Sequence, residues 1–184
     1  MKIVCIADAF IDSEMMESGI RPYLSEDDTL ETFFFGLADK SQMRDIIKDI
    51  EARRHDNIVY PEGLEEAIAG ADLIVVHLCP IKRRMIEKAP NLKAIMTCRG
   101  GLENIDVDDA SELGIIVSNN PAHNANAVAE LVFGMLVFMA RGMFSGAAGC
   151  ELKGRTIGIH AFGNVGRNVA RIAKGFGMDI YAFD

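Results

Sequence analysis

The sequence predicts an α/β chain: a doubly wound parallel sheet over residues 1–120, followed by the start of a second strand–helix–strand unit over 121–184. Three observations carry this. Short apolar strands and helical stretches alternate about five times in the first part, the pattern of a parallel sheet whose crossovers are helices. The strand candidates are continuous apolar runs, such as KIVCIA at 2–7 and DLIVVHL at 72–78, as strands buried on both faces require. Finally, residues 154–184 (GRTIGIHAFGNVGRNVARIAKGFGMDIYAFD) read strand, glycine turn, helix, strand.

Taken in order, residues 2–7 form the first strand, 8–13 a loop and 14–24 a helix with Met15, Met16, Ile20 and Leu24 in a loose apolar stripe. A second strand spans 29–36. The helix at 41–54 buries Met43, Ile46, Ile47 and Ile50, and Ser41 is placed to cap it. A short helix at 63–69 leads to the strand at 72–78. The next helix, 81–89, is ended with the help of Pro90. A strand at 92–98 runs into Arg99-Gly100-Gly101, a helix at 107–113 ends at Gly114, and a strand follows at 115–118. Residues 119–121 (NNP) break the pattern and mark the domain boundary. The helix at 127–141, capped by Asn124 or Asn126, is apolar nearly all round and is expected to lie buried between two layers. Residues 142–150 form a small-residue linker.

Composition is that of an ordinary globular chain, with 49% hydrophobic and 25% charged residues. A net charge of −8 argues against a general nucleic-acid partner. The cysteines at 5, 79, 98 and 150 include no CxxC pair, which argues against a zinc site or redox dithiol and fits a reducing cytoplasm. Cys5 and Cys98 read as core thiols. The first residues lead straight into a strand without a signal peptide, and the longest apolar stretch, 127–140, contains Glu130 and is too short to span a bilayer.

The chemistry of residues 154–184 is that of dinucleotide binding. A glycine turn between strand and helix lets a pyrophosphate approach the backbone, and the helix N-terminus supplies N–H groups and partial positive charge. An acid about 20 residues on bonds the adenosine ribose. Here the turn is Ala161, Phe162, Gly163, Asn164, Val165 and Gly166, and the acid is Asp184. An acid at that point repels a 2′-phosphate, so NAD is expected over NADP. The first glycine of the G-x-G-x-x-G pattern is Ala161, whose methyl must fit the dihedrals of a tight turn.

The stretches KAPNLKAI at 88–95, RGGLENIDVDDASELGIIVSNNPAHNANAVAE at 99–130 and ELKGRTIGI with FGNVGRNVARIAKGFGMDIYAFD at 151–184 resemble the D-isomer-specific 2-hydroxyacid dehydrogenase family, including its phosphoglycerate dehydrogenase-like members. The resemblance implies a flavodoxin-like substrate domain followed by a Rossmann NAD-binding domain, of which this chain carries the beginning. It implies hydride transfer between NAD and the 2-position of a small 2-hydroxy or 2-keto acid, and a homodimer. It further implies that the Arg99, Gly100 and Gly101 loop faces the substrate carboxylate through backbone N–H groups; the plainer reading is a tight strand–helix turn. Val128 and Asn124 lie where the family's long helix begins, near the nicotinamide, although Asn124 is more simply a cap.

The family's catalytic His, Glu and Arg lie downstream of the second Rossmann strand, so no catalytic residue and no metal ligand is assigned in this chain. Of its histidines, His55 reads as a surface residue. His77 ends a strand and could face the cleft, as could the neighbouring Cys79. His123 is a loop residue near the hinge, and His160 sits inside a Rossmann strand, where burial would require a hydrogen bond. The connection at 141–151 is shorter than the family usually carries. The chain is read as the front part of a longer enzyme; the alternative expectation, for a chain that ends at Asp184, is a non-catalytic nucleotide-binding or interaction fragment.

Overall fold

Strand β1 (Lys2–Ala7) is hydrogen-bonded on both sides in the computed structural model, which describes residues 1–56 and 58–184. Its neighbours are β2 (Thr29–Phe34) and β3 (Leu73–Val76), and β4 (Ala94–Thr97) and β5 (Ile116–Ser118) follow, giving the order β2-β1-β3-β4-β5 with every pair parallel. The order reverses between β1 and β3, the switch point of a doubly wound sheet. These strands and their helices make one compact unit, Met1–Pro121; Ala122–Asp184 make a second.

The two-residue period of the strands decides what covers each face. Val4, Ile6, Ile74, Val76 and Ile95 pack on one side with Met43 and Ile50 of α2 (Met43–Glu51), Leu64 and Ile68 of α3 (Leu64–Ala69), and Met85 and Ile86 of α4 (Arg83–Ile86). Ala110 of α5 (Val107–Glu112) joins the same cluster. Ile3, Cys5, Ala7 and Val75 point the other way, onto Met16 of α1 (Ser13–Ile20). On that second face Met96 and Ile116, in β4 and β5, remain exposed.

Several element ends differ from expectation for local reasons. Ser41 does not cap α2: its hydroxyl bonds the Asp39 carboxylate, and the N-cap is Gln42 without a side-chain bond. The expected helix at 81–89 is reduced to Arg83–Ile86, because Ile81 donates its N–H to the Asn104 carbonyl and pairs with Ile105 in an isolated parallel bridge. The Arg83 N–H is accepted by the Asp106 carboxylate, which starts the helix there. Asp12, not singled out from sequence, caps α1 by accepting from the Met15 N–H.

In the second unit β6 (Thr156–His160) and β7 (Asp179–Phe183) form a parallel pair joined by α7 (Asn164–Gly175). The long helix is α6 (Ala125–Ala140). Ala129, Phe133, Ile159, Val169 and Ala173 form the core, and Phe133 stacks on Phe176 at 5.0 Å between ring centroids. The expected burial of α6 on all sides is corrected: only Ala125, Ala129 and Phe133 are buried, one stripe at four-residue spacing, while Leu131, Met135, Phe138 and Met139 are exposed. Within this unit α7 and a two-stranded sheet are too narrow to cover more. Neither predicted cap operates: Asn124 holds the N-cap position without a side-chain bond, and Asn126 donates to Glu130.

The thiols test this packing. Cys5 and Cys79 are buried, Cys98 is half-buried and Cys150 is exposed. Burial pushes the Cys5 thiol up to about 12, the Cys79 thiol well above its ordinary value, and the Cys98 thiol upward. Since the thiolate is the nucleophile, alkylation of the native chain at pH 8 should modify Cys150 fast, Cys98 slowly, and Cys5 and Cys79 only on unfolding. Peptide mass spectrometry reads the order; rapid labelling of Cys5 would contradict the sheet packing.

Candidate functional site

Two loci carry the candidate residues, one in each unit. The first is the C-terminal edge of the five-stranded sheet. The register aligns Ile6, Val76 and Thr97 across β1, β3 and β4, so the residues just beyond them emerge side by side. On β4 these lead to Arg99, Gly100 and Gly101. The loop is held by its carbonyls and by Arg99: the Arg99 carbonyl accepts from the Asn120 N–H at 2.8 Å, the Gly100 carbonyl from Asn119 Nδ2 at 2.7 Å, and the Arg99 N–H donates to Thr97 Oγ1 at 3.3 Å. The amides of Gly100 and Gly101 make no hydrogen bond among the described residues. A Cβ on Gly101 would come within 2.2 Å of the Glu103 carboxylate, so a side chain there would require Glu103 to swing aside.

The Arg99 side chain is turned to other work. Its guanidinium is only 13% exposed and lies 3.7 Å from Glu51 and 3.5 Å from Glu103. Of the three predicted substrate-loop residues, the two glycines therefore present amides, and Arg99 braces the loop.

Beside this loop lies a pair that sequence reading missed. Asp8, immediately after β1, is fully buried, and its carboxylate accepts from the N–H groups of Phe10, Ile11 and Leu78 and from His77 Nδ1 at 2.9 Å. Asn104 is also fully buried and donates through Nδ2 to the carbonyls of His77 and Cys79. The signal was topological: an acid at the end of the strand beside the switch point. Cys79, expected as a possible cleft residue, is corrected to a core thiol with no exposure. His55, expected at the surface, is half-buried, with its carbonyl accepting from Lys82 Nζ.

The second locus is the β6–α7 turn. Ala161 takes a left-handed φ of 77°, the conformation that favours glycine. Phe162, half-buried, donates its N–H to the Asp184 carboxylate at 2.8 Å, which brings the acid ending β7 onto the turn. Gly163 is the N-cap of α7, and a Cβ built on it meets nothing within 4 Å. At Gly166 a Cβ would sit 2.3 Å from the Ala161 carbonyl oxygen, so that glycine is needed for the helix to approach the strand. Asn164 and Val165 are exposed in the first turn of α7, whose leading N–H groups have no intrahelical acceptor. Arg167, unremarked in the sequence, bonds the Phe162 carbonyl through Nε. Val128 lies half-buried in the first turn of α6. His160 is not buried as its strand position suggested; it is exposed and stacks on Phe183 with centroids 5.5 Å apart. His123 is exposed in the loop before α6.

The model of the D-isomer specific 2-hydroxyacid dehydrogenase catalytic domain matches residues 33–176. The chain belongs to this family. Among its relatives, the D-3-phosphoglycerate dehydrogenase of Methanocaldococcus jannaschii is 39% identical over 137 residues, covering 67% of this chain and 26% of the relative. The hydroxypyruvate reductase of Thermotoga maritima is 39% identical over 137 residues, covering 67% of this chain and 45% of the relative. The chain thus spans less than half the length of these curated relatives. Among solved structures, the NAD+-bound 3-phosphoglycerate dehydrogenase of Entamoeba histolytica is similar with a TM-score of 0.71 and 31% identity, over 100% of this chain and 54% of that one.

Two substitutions in the dehydrogenase-family turn test its geometry in opposite directions. Ala161→Gly removes a methyl from a left-handed residue and should stabilise the second unit by about 0.5–1 kcal/mol. Gly166→Ala forces a methyl onto a backbone oxygen and should cost about 1–3 kcal/mol. Thermal melts followed by circular dichroism read both signs.

Proposed function

We propose that this chain serves an NAD-dependent oxidoreductase that transfers a hydride between nicotinamide and the 2-position of a small 2-hydroxy or 2-keto acid. The observation that carries the reading is the union of turn and acid: Gly163 opens onto free space at the start of α7, and Asp184 is tied to the same turn through the Phe162 N–H. A pyrophosphate fits the open side of Gly163 and the leading amides of α7, and Ala161, Phe162, Asn164, Val165 and Gly166 shape that approach. The Asp184 carboxylate accepts from the ribose hydroxyls and repels a 2′-phosphate, which selects NAD over NADP. When bound, the cofactor supplies the hydride acceptor or donor.

The residues of this chain bind and orient. Residues 1–120 form the substrate domain, where the Gly100 and Gly101 amides hold the substrate carboxylate and Arg99 keeps their loop in place. Residues 121–184 begin the cofactor domain, with Val128 near the nicotinamide. The Arg, Glu and His that fix the acid and exchange the proton lie in the part of the family's length that this chain does not span. The protein is cytoplasmic and dimeric, and the exposed apolar side of α6 suits a subunit interface. A second reading, a non-catalytic module whose cofactor site is weak or lost, is favoured by one observation: Ala161 occupies a glycine conformation, which strains the turn.

Calorimetric titration of the chain with NAD and NADP tests the cofactor assignment. NAD should bind more tightly than NADP, and Asp184→Ala should weaken NAD about tenfold. An affinity for NAD indifferent to that substitution removes Asp184 from the ribose site.

A further inference from the structure

We propose that Asn119 is a positioning residue: by holding the Gly100 carbonyl it turns the Gly101 N–H to the same side as the Gly100 N–H, which makes of the two amides one paired donor for a substrate carboxylate. This deepens the reading above and rests on its carboxylate site.

Peptide geometry converts a bond at a carbonyl into a direction for an amide. A trans peptide is planar, with its C=O and N–H on opposite edges, and none of the described peptides is cis. Whatever holds a carbonyl therefore aims the N–H of the next residue the other way. The Arg99 carbonyl accepts from the Asn120 N–H at 2.8 Å, so the Gly100 N–H points away from Asn120. The Gly100 carbonyl accepts from Asn119 Nδ2 at 2.7 Å, so the Gly101 N–H points away from Asn119. A carbonyl has no proton to give, which fixes the nitrogen of the Asn119 amide as the atom that faces it.

Along a strand, successive carbonyls turn to opposite neighbours. The end of β4 keeps this alternation: the Cys98 N–H donates to Val76 of β3, and the Arg99 carbonyl turns to the segment that continues β5. The next carbonyl, that of Gly100, is due back towards β3. Asn119, the first residue after β5, draws it the other way instead. The Gly101 N–H is thereby released on the β3 side, beside the Gly100 N–H. Two successive amides facing one way form an anion-binding concavity, and β3 borders the switch point where open α/β sheets take their ligands. The Glu103 carboxylate lies against the Cα of Gly101 and faces Arg99 at 3.5 Å, but it accepts from neither glycine amide. One side-chain bond thus separates a paired donor from an ordinary strand end.

The test uses the full chain labelled with 15N and titrated with D-lactate, with Asn119→Ala and Asn119→Asp beside the wild type. Asp keeps the shape of Asn but has no proton for the carbonyl. In the wild type the Gly100 and Gly101 amides should shift along one saturation curve. Both variants should bind about tenfold more weakly, and at saturation the Gly100 amide should still move while the Gly101 amide does not, because Gly100 is aimed by the backbone of Asn120. A Gly101 response that survives both substitutions, or an unchanged affinity, overturns the role of Asn119 and leaves the carboxylate site standing. Loss of both responses at once makes Asn119 a support of the whole loop and overturns the aiming of one peptide. Glycine amides that stay still in the wild type overturn the carboxylate site and this inference with it. Should the variants not fold, the Asn119 side-chain amide of the wild type decides. An N–H that binds an anion polarises the carbonyl of its own peptide, so the Nδ2 protons should shift on the same curve as the Gly101 amide; Nδ2 protons that stay still while Gly101 moves overturn the proposal.

Discussion

The parallel ladder in which β1 is bonded on both sides is the constraint on which the first unit depends. Because β1 lies inside the sheet with α1 over one face and α2, α3 and α4 over the other, both its faces must be apolar, and Ile3, Val4, Cys5, Ile6 and Ala7 are all buried. Parallel pairing also sends every strand out at the same edge. That is why an acid after β1, a histidine after β3 and a glycine loop after β4 share one rim, although the sequence separates Asp8 from Gly100 by most of the unit. The chemistry of that rim is a by-product of register. A slip of one residue in β3 would exchange the side chains it sends to its two covered faces, putting Val75 where Ile74 and Val76 now pack.

Where one apolar run decides an element, the sequence was sufficient. Residues 2–7 form the strand expected, and the buried stripe of α2 falls on Met43, Ile46, Ile47 and Ile50. Where a second element decides, it was not. Nothing local in 81–89 announces the bridge from Ile81 to Ile105 that shortens the helix. The composition of α6 speaks for burial, but exposure is set by what packs on it, and in its own unit one stripe is covered.

The candidate site divides in the same way. The glycine turn is a local motif, so residues 161–166 and the acid at 184 are visible from spacing; even the doubt over Ala161 is visible, and it resolves into a left-handed residue. Asp8 has no motif around it. Its partners at Leu78 and His77 lie about 70 positions away, and only the fold brings them together. The side chain of Arg99 is likewise outside what a motif can place: the loop was expected to act through its backbone N–H groups, and the acids the guanidinium faces, Glu51 and Glu103, are brought to it by the fold.

The bond from the Phe162 N–H to Asp184 gives the second locus a particular character. It closes a ring of backbone running through the turn, along α7 and back up β7, so the acid is aimed before anything arrives. A ligand that uses the oxygen left over inherits this aim at little entropic cost. Each carboxylate oxygen has two acceptor sites, so Oδ1 can keep the Phe162 N–H and still accept from a ligand. The turn therefore discriminates by the direction from which donors approach the carboxylate, a selectivity written in geometry before charge is counted.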